Sequence, residues 1–403
     1  MNLFKNPRAR AECRYGDKRR NLLDPELAEV VRREIASWPQ YQHTPLIPLP
    51  GLAARMGVAE LRYKDESGRF GLGSFKGLGG AYAVYRCIAE TVTARTGDSG
   101  IKAADLAGGK YRDLTSGITV CCATDGNHGR SVAWGAQIFG CRCVIYIHEK
   151  VSRGREAAIS RYGAEVVRTR GTYDDSVHQA AADAATNGWM VVSDTSYKDY
   201  TTIPREIMHG YTVMVDEVIS ALADKALPTH VFVQGGVGGL AAAVCARLWW
   251  EYEELRPLFV VVEPERADAL FESARAGERV ALTGDIDTVM ACLSCAETSL
   301  LAWEILKDGA DFFMTIPDSA AVEMMRQLAS GADGDPPVVA GESGVAGLAG
   351  VRAVAADASA AHTIGLDAGA CVLVFGTEGD TDPELYRQLV GRSATEVLSG
   401  GAP

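Results

Sequence analysis

The sequence has no basic excess. Its 40 Lys and Arg stand against 52 Asp and Glu, a formal charge of −12, which argues against a nucleic-acid surface. It has no run of eighteen apolar residues, which argues against a membrane-spanning helix. It does not open on a basic stretch followed by an apolar one: MNLFKNPRARAECRYGDKRR is polar and mixed. No secretory leader is therefore expected, and the expected location is cytoplasmic. The ten cysteines are then expected as thiols rather than as disulfides. Cys121-Cys122 and Cys141-x-Cys143 lie in apolar, strand-like runs and read as core. Cys292-x-x-Cys295 has half of a zinc-ribbon spacing, but no second Cys or His pair follows, so no metal site is expected. Internal repeats and low-complexity linkers are also missing.

What is present suits a large α/β protein. Hydrophobic residues make up 47% of 403, enough for a sizeable core. DPELAEVVRREIASW opens with an Asp cap and Pro in the first turn, a helix start, in an otherwise irregular stretch 1–45. ELRYKDES alternates like a strand. ITVCCAT, CRCVIYIHE, AEVVRTRG and WMVVSDTS read as strands separated by helical stretches. Residues 97–117 read as a surface connection. A second alternating block begins near residue 228 with THVFV, LFVVVEPE and ACVLVFG, each followed by a glycine or polar loop and, in most cases, a helix. Strand–helix alternation of this kind means βαβ units and mostly parallel sheets. Two such blocks predict two α/β lobes, with the loops after their strands converging on a cleft.

Four loops carry candidate chemistry. In GSFKGLGG, Lys76 sits among glycines and beside Phe75. A loop lysine before a helix is one reading; a lysine whose amine forms a Schiff base with a carbonyl compound is the other. Gln234-Gly235-Gly236-Val237-Gly238-Gly239 lies between a strand and a helix, where backbone N–H groups and the helix N-terminus can cradle a phosphate. No Lys-Ser/Thr pair follows, so it is not a nucleotide-triphosphate loop. A dinucleotide fold remains a competing reading, since Gly236 to Ala241 fits G-x-G-x-x-A and Glu263 ends the next strand. The loop Thr124 to Arg130 offers Asp125, Asn127 and His128, as catalytic and binding groups or as a helix cap with a structural histidine. Gly341-Glu342-Ser343-Gly344 and Gly376-Thr377-Glu378-Gly379 complete the set.

Ser74-Phe75-Lys76, then Gly126-Asn127-His128-Gly129, then the run Gly235 to Gly239, then a Thr-x-Gly-Asp loop, resembles the tryptophan-synthase-β-like, fold-type II family of pyridoxal-phosphate enzymes. The likeness spans about residues 40–390. YKDESGRFGLGSFKGLGGAYA, ATDGNHGRSVAWGAQ, IPREIMHGY and FGTEGDTD resemble the members that act on 2,3-diaminopropionate. The resemblance implies an α/β fold of two lobes, each an open twisted mostly parallel sheet flanked by helices, with pyridoxal 5′-phosphate in the cleft. Residues 1–87 and 196–403 would form a large cofactor-binding domain and 88–195 a small inserted one. Lys76 would carry the cofactor as a Schiff base. Asn127 would bond its 3′ oxygen, Gly235, Gly236, Val237, Gly238 and Gly239 would wrap its phosphate, Glu342 would line its site, and Thr377 would face the pyridine nitrogen. Asp125 and Asp194 would be acid–base partners, Asp125 for the D-substrate. The implied reaction is α,β-elimination of D- or L-2,3-diaminopropionate to pyruvate and ammonia. A β-lyase or β-replacement reaction on another β-substituted amino acid would use the same residues. A small amino-acid substrate and a homodimer are implied; nucleic acid, membrane and metal are not. Gly77 stands where the family usually has a larger residue. Cys295, which some relatives pair, has no cysteine in RADALFES to meet, so no disulfide is expected there.

Overall fold

The structure is a computed structural model that describes residues 1–10, 13–124, 126–171, 173–223 and 225–400. The chain divides into two compact units: Met1–Pro25, His43–Ser74 and Met214–Pro403 make one, and Glu26–Gln42 with Phe75–Val213 the other.

The first unit is built on a seven-stranded sheet. Its order is Asn2–Lys5, Phe312–Ile316, Leu258–Pro264, His230–Gln234, Cys371–Gly376, Glu60–Asp65, Leu46–Pro48. The five inner strands run parallel, and the two edge strands are antiparallel to their neighbours. Strands His230–Gln234 and Cys371–Gly376 are buried at every position. That is why HVFVQ and CVLVFG are almost continuously apolar: a parallel sheet covered on both faces does not alternate. Stretch 1–45, read as irregular apart from one helix, also contributes one edge strand: Asn2–Lys5 pairs with Phe312–Ile316, and four residues are too few to declare themselves by periodicity.

The second unit holds a four-stranded sheet, all parallel, in the order Glu165–Arg168, Arg142–Ile147, Thr119–Ala123, Met190–Val191. WMVVSDTS yields only the two-residue strand Met190–Val191. Beyond it a side chain replaces the ladder: the Tyr200 hydroxyl donates to the Val191 carbonyl at 2.9 Å and accepts from the Ser193 N–H at 2.9 Å. Segment 97–117 is not a plain connection but carries two short helices, Ala103–Ala107 and Arg112–Thr115, which bury Ala103, Leu106 and Thr115. Among the described residues no helix is long and apolar enough to cross a membrane, and no group of three or more His, Cys, Asp or Glu could hold a metal ion.

Candidate active site

In the second unit, Lys76 lies in a short 3₁₀ turn, Phe75–Leu78, that leads into helix Gly80–Thr96. The glycines that follow are there for close packing. A Cβ on Gly79 would stand 2.5 Å from the Tyr211 ring, and one on Gly80 would stand 2.0 Å from the Ser131 hydroxyl oxygen. The turn is thereby pressed onto helices Thr202–Ala221 and Asn127–Phe139. The Lys76 ammonium donates to Asp194 Oδ2 at 2.5 Å, and both side chains are largely shielded from water. It also lies 5.2 Å from the Phe75 ring centroid and 5.7 Å from that of Tyr211, within cation–π range. The Tyr211 hydroxyl is buried on the same side, close to the Lys76 ammonium.

Burial by itself pushes the Asp194 carboxyl up. The nearby Lys76 ammonium, then His128, outweigh that, and the carboxyl titrates below its ordinary range. His128 is buried, and its Nε2 lies 2.7 Å from the Val192 carbonyl. A carbonyl only accepts, so Nε2 carries the proton in the neutral ring. Burial is the main cause of its lowered pKa. His128 thus ties the helix Asn127–Phe139 to the loop that presents Asp194. Asn127 is buried at the first position of that helix, whose start is held by the Thr124 hydroxyl accepting from the N–H groups of Gly126 and Gly129 at 3.0 and 3.1 Å. Asp125 lies outside the described residues.

In the first unit, strand His230–Gln234 ends in the glycine loop and feeds helix Gly239–Tyr252. Gly236 and Gly238 have φ of +65° and +93°, values that side-chain-bearing residues rarely adopt. The helix has no side-chain cap, so its first N–H groups remain available to an anion. A Cβ on Gly235 would stand 2.6 Å from Glu263 Cγ. Glu263 in turn accepts from the N–H groups of Leu270 and Phe271 at 3.1 and 2.7 Å, so it caps helix Ala269–Ala276. That occupation removes the acid which the dinucleotide reading requires for a ribose. Gly235→Ala is expected to displace Glu263, weaken binding of a phosphate-bearing ligand at least about tenfold and cost about 1–3 kcal/mol of stability. Ligand titration and urea unfolding measure the two effects; wild-type values in both would refute the cradle.

Two further loops of this unit interlock. The Ser343 N–H donates to Glu378 Oε1 at 3.0 Å and the Gly341 N–H to the Glu378 carbonyl at 2.9 Å. Cys292 Sγ lies 3.7 Å from Glu378 Oε2. Glu342 and Thr377 are buried within these loops. Sequence reasoning assigns no role to Gln234 or Glu378. The available signal was a polar residue closing an apolar strand, which burial must satisfy.

The second unit holds a shielded amine beside a carboxylate, chemistry that suits a carbonyl compound. The first unit holds an uncapped glycine loop, chemistry that suits a phosphate. The profile of the family described as "Pyridoxal-phosphate dependent enzyme" matches residues 38–367. The chain belongs to that family. Among pyridoxal-phosphate-dependent enzymes it is similar to the diaminopropionate ammonia-lyase of Escherichia coli, 39% identical over 91% of this chain and 90% of the relative. The Salmonella typhimurium enzyme of the same name is 38% identical over 93% and 95%. A crystal structure of the E. coli enzyme in complex with an aminoacrylate-PLP azomethine reaction intermediate superimposes with a TM-score of 0.85 at 36% identity, covering 96% of each chain. Its complex with D-serine gives 0.87 at 35%, covering 98% of each. The fold is therefore the fold-type II one expected from the sequence, and the family's cofactor is pyridoxal 5′-phosphate.

Proposed function

We propose that this chain eliminates the β-amine of 2,3-diaminopropionate, giving pyruvate and ammonia, with pyridoxal phosphate bound at Lys76. The observation that carries the reading is the shielded Lys76–Asp194 pair in a chain alike, over nine-tenths of its length, to enzymes named for this substrate. When bound, the cofactor supplies an aldehyde that captures amino groups and a conjugated ring that accepts electron density from Cα.

The residues do the rest. Lys76 supplies the amine that anchors the cofactor and, released from it, takes the proton from Cα. Asp194 holds the Lys76 ammonium in place and keeps a proton acceptor beside it. An amine is a poor leaving group, so the β-nitrogen must leave protonated; Asp194 Oδ2 is placed next to Lys76 to pass that proton on. Asp125 serves as the base for the D-isomer. Asn127, Glu342, Thr377 and the run Gly235, Gly236, Val237, Gly238 and Gly239 bind the cofactor. Asp194→Asn is expected to lower kcat by about 10²–10⁴-fold, with cofactor content retained. A kcat within threefold of wild type would remove Asp194 from the mechanism.

The test of the reaction is pyruvate release from DL-2,3-diaminopropionate, followed beside the cofactor's absorbance. Release without any added nucleophile supports elimination. A spectral shift without pyruvate would move the assignment to β-replacement or to another β-substituted amino acid. The cytoplasmic location and the homodimer implied by the family resemblance belong to the same reading, and light scattering tests the latter.

A further inference from the structure

We propose that Gln234 is a positioning residue: its amide holds the Thr377 hydroxyl as an acceptor within the protein and so aims the hydroxyl proton at the ring nitrogen that the family resemblance sets opposite it. The inference rests on the proposed function for the identity of that nitrogen. The direction of the proton follows from the hydrogen bonds alone.

Strands His230–Gln234 and Cys371–Gly376 are parallel neighbours, with Val231 level with Leu373 and Phe232 with Val374. Continuing that register sets Gln234 beside the end of its partner strand, one step before Thr377. The Gln234 side chain is 2% exposed. Its amide nitrogen lies 3.0 Å from the Phe375 carbonyl oxygen and 3.4 Å from that of Gly344. Carbonyl oxygens only accept, so the NH₂ side of the amide must face them. The reverse orientation would set three oxygens against one another. That constraint is strong enough to leave Gln234 Oε1 buried with no partner among the described residues.

The same nitrogen lies 2.6 Å from Thr377 Oγ1. An amide nitrogen has no lone pair to offer, so Thr377 accepts in this bond. One of the two amide hydrogens goes to Phe375 and the other to Thr377. The Thr377 hydroxyl is itself buried, at 4% exposure, and its own proton has no acceptor among the described residues. A buried donor left without an acceptor is destabilising, and a ligand acceptor relieves it. A protonated pyridine would take the oxygen's second lone pair and leave the buried hydroxyl proton without an acceptor, so this point favours the unprotonated ring. An unprotonated ring withdraws electrons from Cα less strongly. It therefore suits a reaction in which the Cα electron pair expels the β-nitrogen at once, rather than one in which it rests on the ring.

The test uses the holoenzyme reconstituted with pyridoxal phosphate labelled with ¹⁵N in its ring. In the wild type the ring-nitrogen resonance is expected in the unprotonated, hydrogen-bonded range and independent of pH across the stable range. Gln234→Glu has at most one hydrogen to give, and the Phe375 carbonyl takes it. The bond to Thr377 then reverses, the hydroxyl offers its lone pair to the ring, and the resonance moves to the protonated range, with kcat down about tenfold and KM little changed. Gln234→Met, which keeps shape without charge, is expected to leave a ring nitrogen that titrates with pH. On a Thr377→Val background, neither substitution should shift the resonance further. A protonated ring in the wild type, or equal shifts with and without the Thr377 hydroxyl, overturns the inference. Absence of any Schiff-base absorbance in the wild type would instead overturn the proposed function.

Discussion

Lys76→Ala is expected to abolish the Schiff-base absorbance of the holoenzyme and to lower kcat by at least about 10³-fold, since one substitution removes both the anchoring amine and the proposed proton acceptor. On the proposed reading the glycine loop still holds cofactor, so the diagnostic is spectral and not a loss of cofactor mass. A stability signature accompanies it. In the wild type the Asp194 carboxyl is largely shielded from water, which raises its pKa, but Lys76 and then His128 hold it below the ordinary range. A depressed carboxylate stabilises the folded state above its unfolded value of about 4, and that stabilisation is lost as pH falls through the lower folded value. Without Lys76, burial dominates and the sign reverses: at neutral pH the carboxylate destabilises, and acid relieves it. The variant's deficit in melting temperature should therefore be larger at pH 7.5 than at pH 5. A variant that keeps the absorbance band, or whose deficit grows with acid, would sink the assignment of Lys76.

Arg69→Met is expected to destabilise the protein by about 3–5 kcal/mol, the cost of leaving buried charges without their partner. Arg69 is 1% exposed. Its guanidinium forks onto both oxygens of Glu66 at 2.8 Å and onto both oxygens of Glu217 at 2.8 Å, and bonds the Thr44 hydroxyl at 2.9 Å. Lys64 completes the group by donating to Glu217 and to the Thr44 carbonyl. The substitution strands two carboxylates with one ammonium. Burial raises the Glu217 pKa, but Arg69 and Lys64 outweigh it and hold the carboxyl low. Its contribution is full above the ordinary glutamate range and disappears as pH falls through the folded value. The gap between variant and wild type in urea unfolding should accordingly narrow below about pH 4. A loss under 1 kcal/mol at pH 7 would show that water reaches this group.

Local sequence was informative wherever chemistry and chain neighbours coincide. Lys76 stands out because glycines flank it, and the run Gly235 to Gly239 because a strand precedes it and a helix follows. Sequence could not disclose Glu217 as a partner of Arg69, because the pairing joins the helix Thr202–Ala221 to a turn 148 residues earlier. Nor could it show that Glu263, well placed for a ribose hydroxyl, is turned onto the N-terminus of helix Ala269–Ala276. The strand in WMVVSDTS was overread for a related reason: a tyrosine nine residues beyond Val191 takes over the bonds that a ladder would have made.

By itself the sequence determined the strand–helix alternation, the mostly parallel sheets, and the placing of a lysine and of a glycine loop at the ends of strands and the starts of helices. Each of these is written in residues close together in the chain, through periodicity and backbone freedom. Only the tertiary structure decided that Asp194 is the carboxylate that meets Lys76, and that the amide of Gln234 must point its hydrogens at Thr377. Those outcomes depend on which buried donors and acceptors find each other across more than a hundred residues, and a buried polar group is satisfied by whatever the fold brings to it.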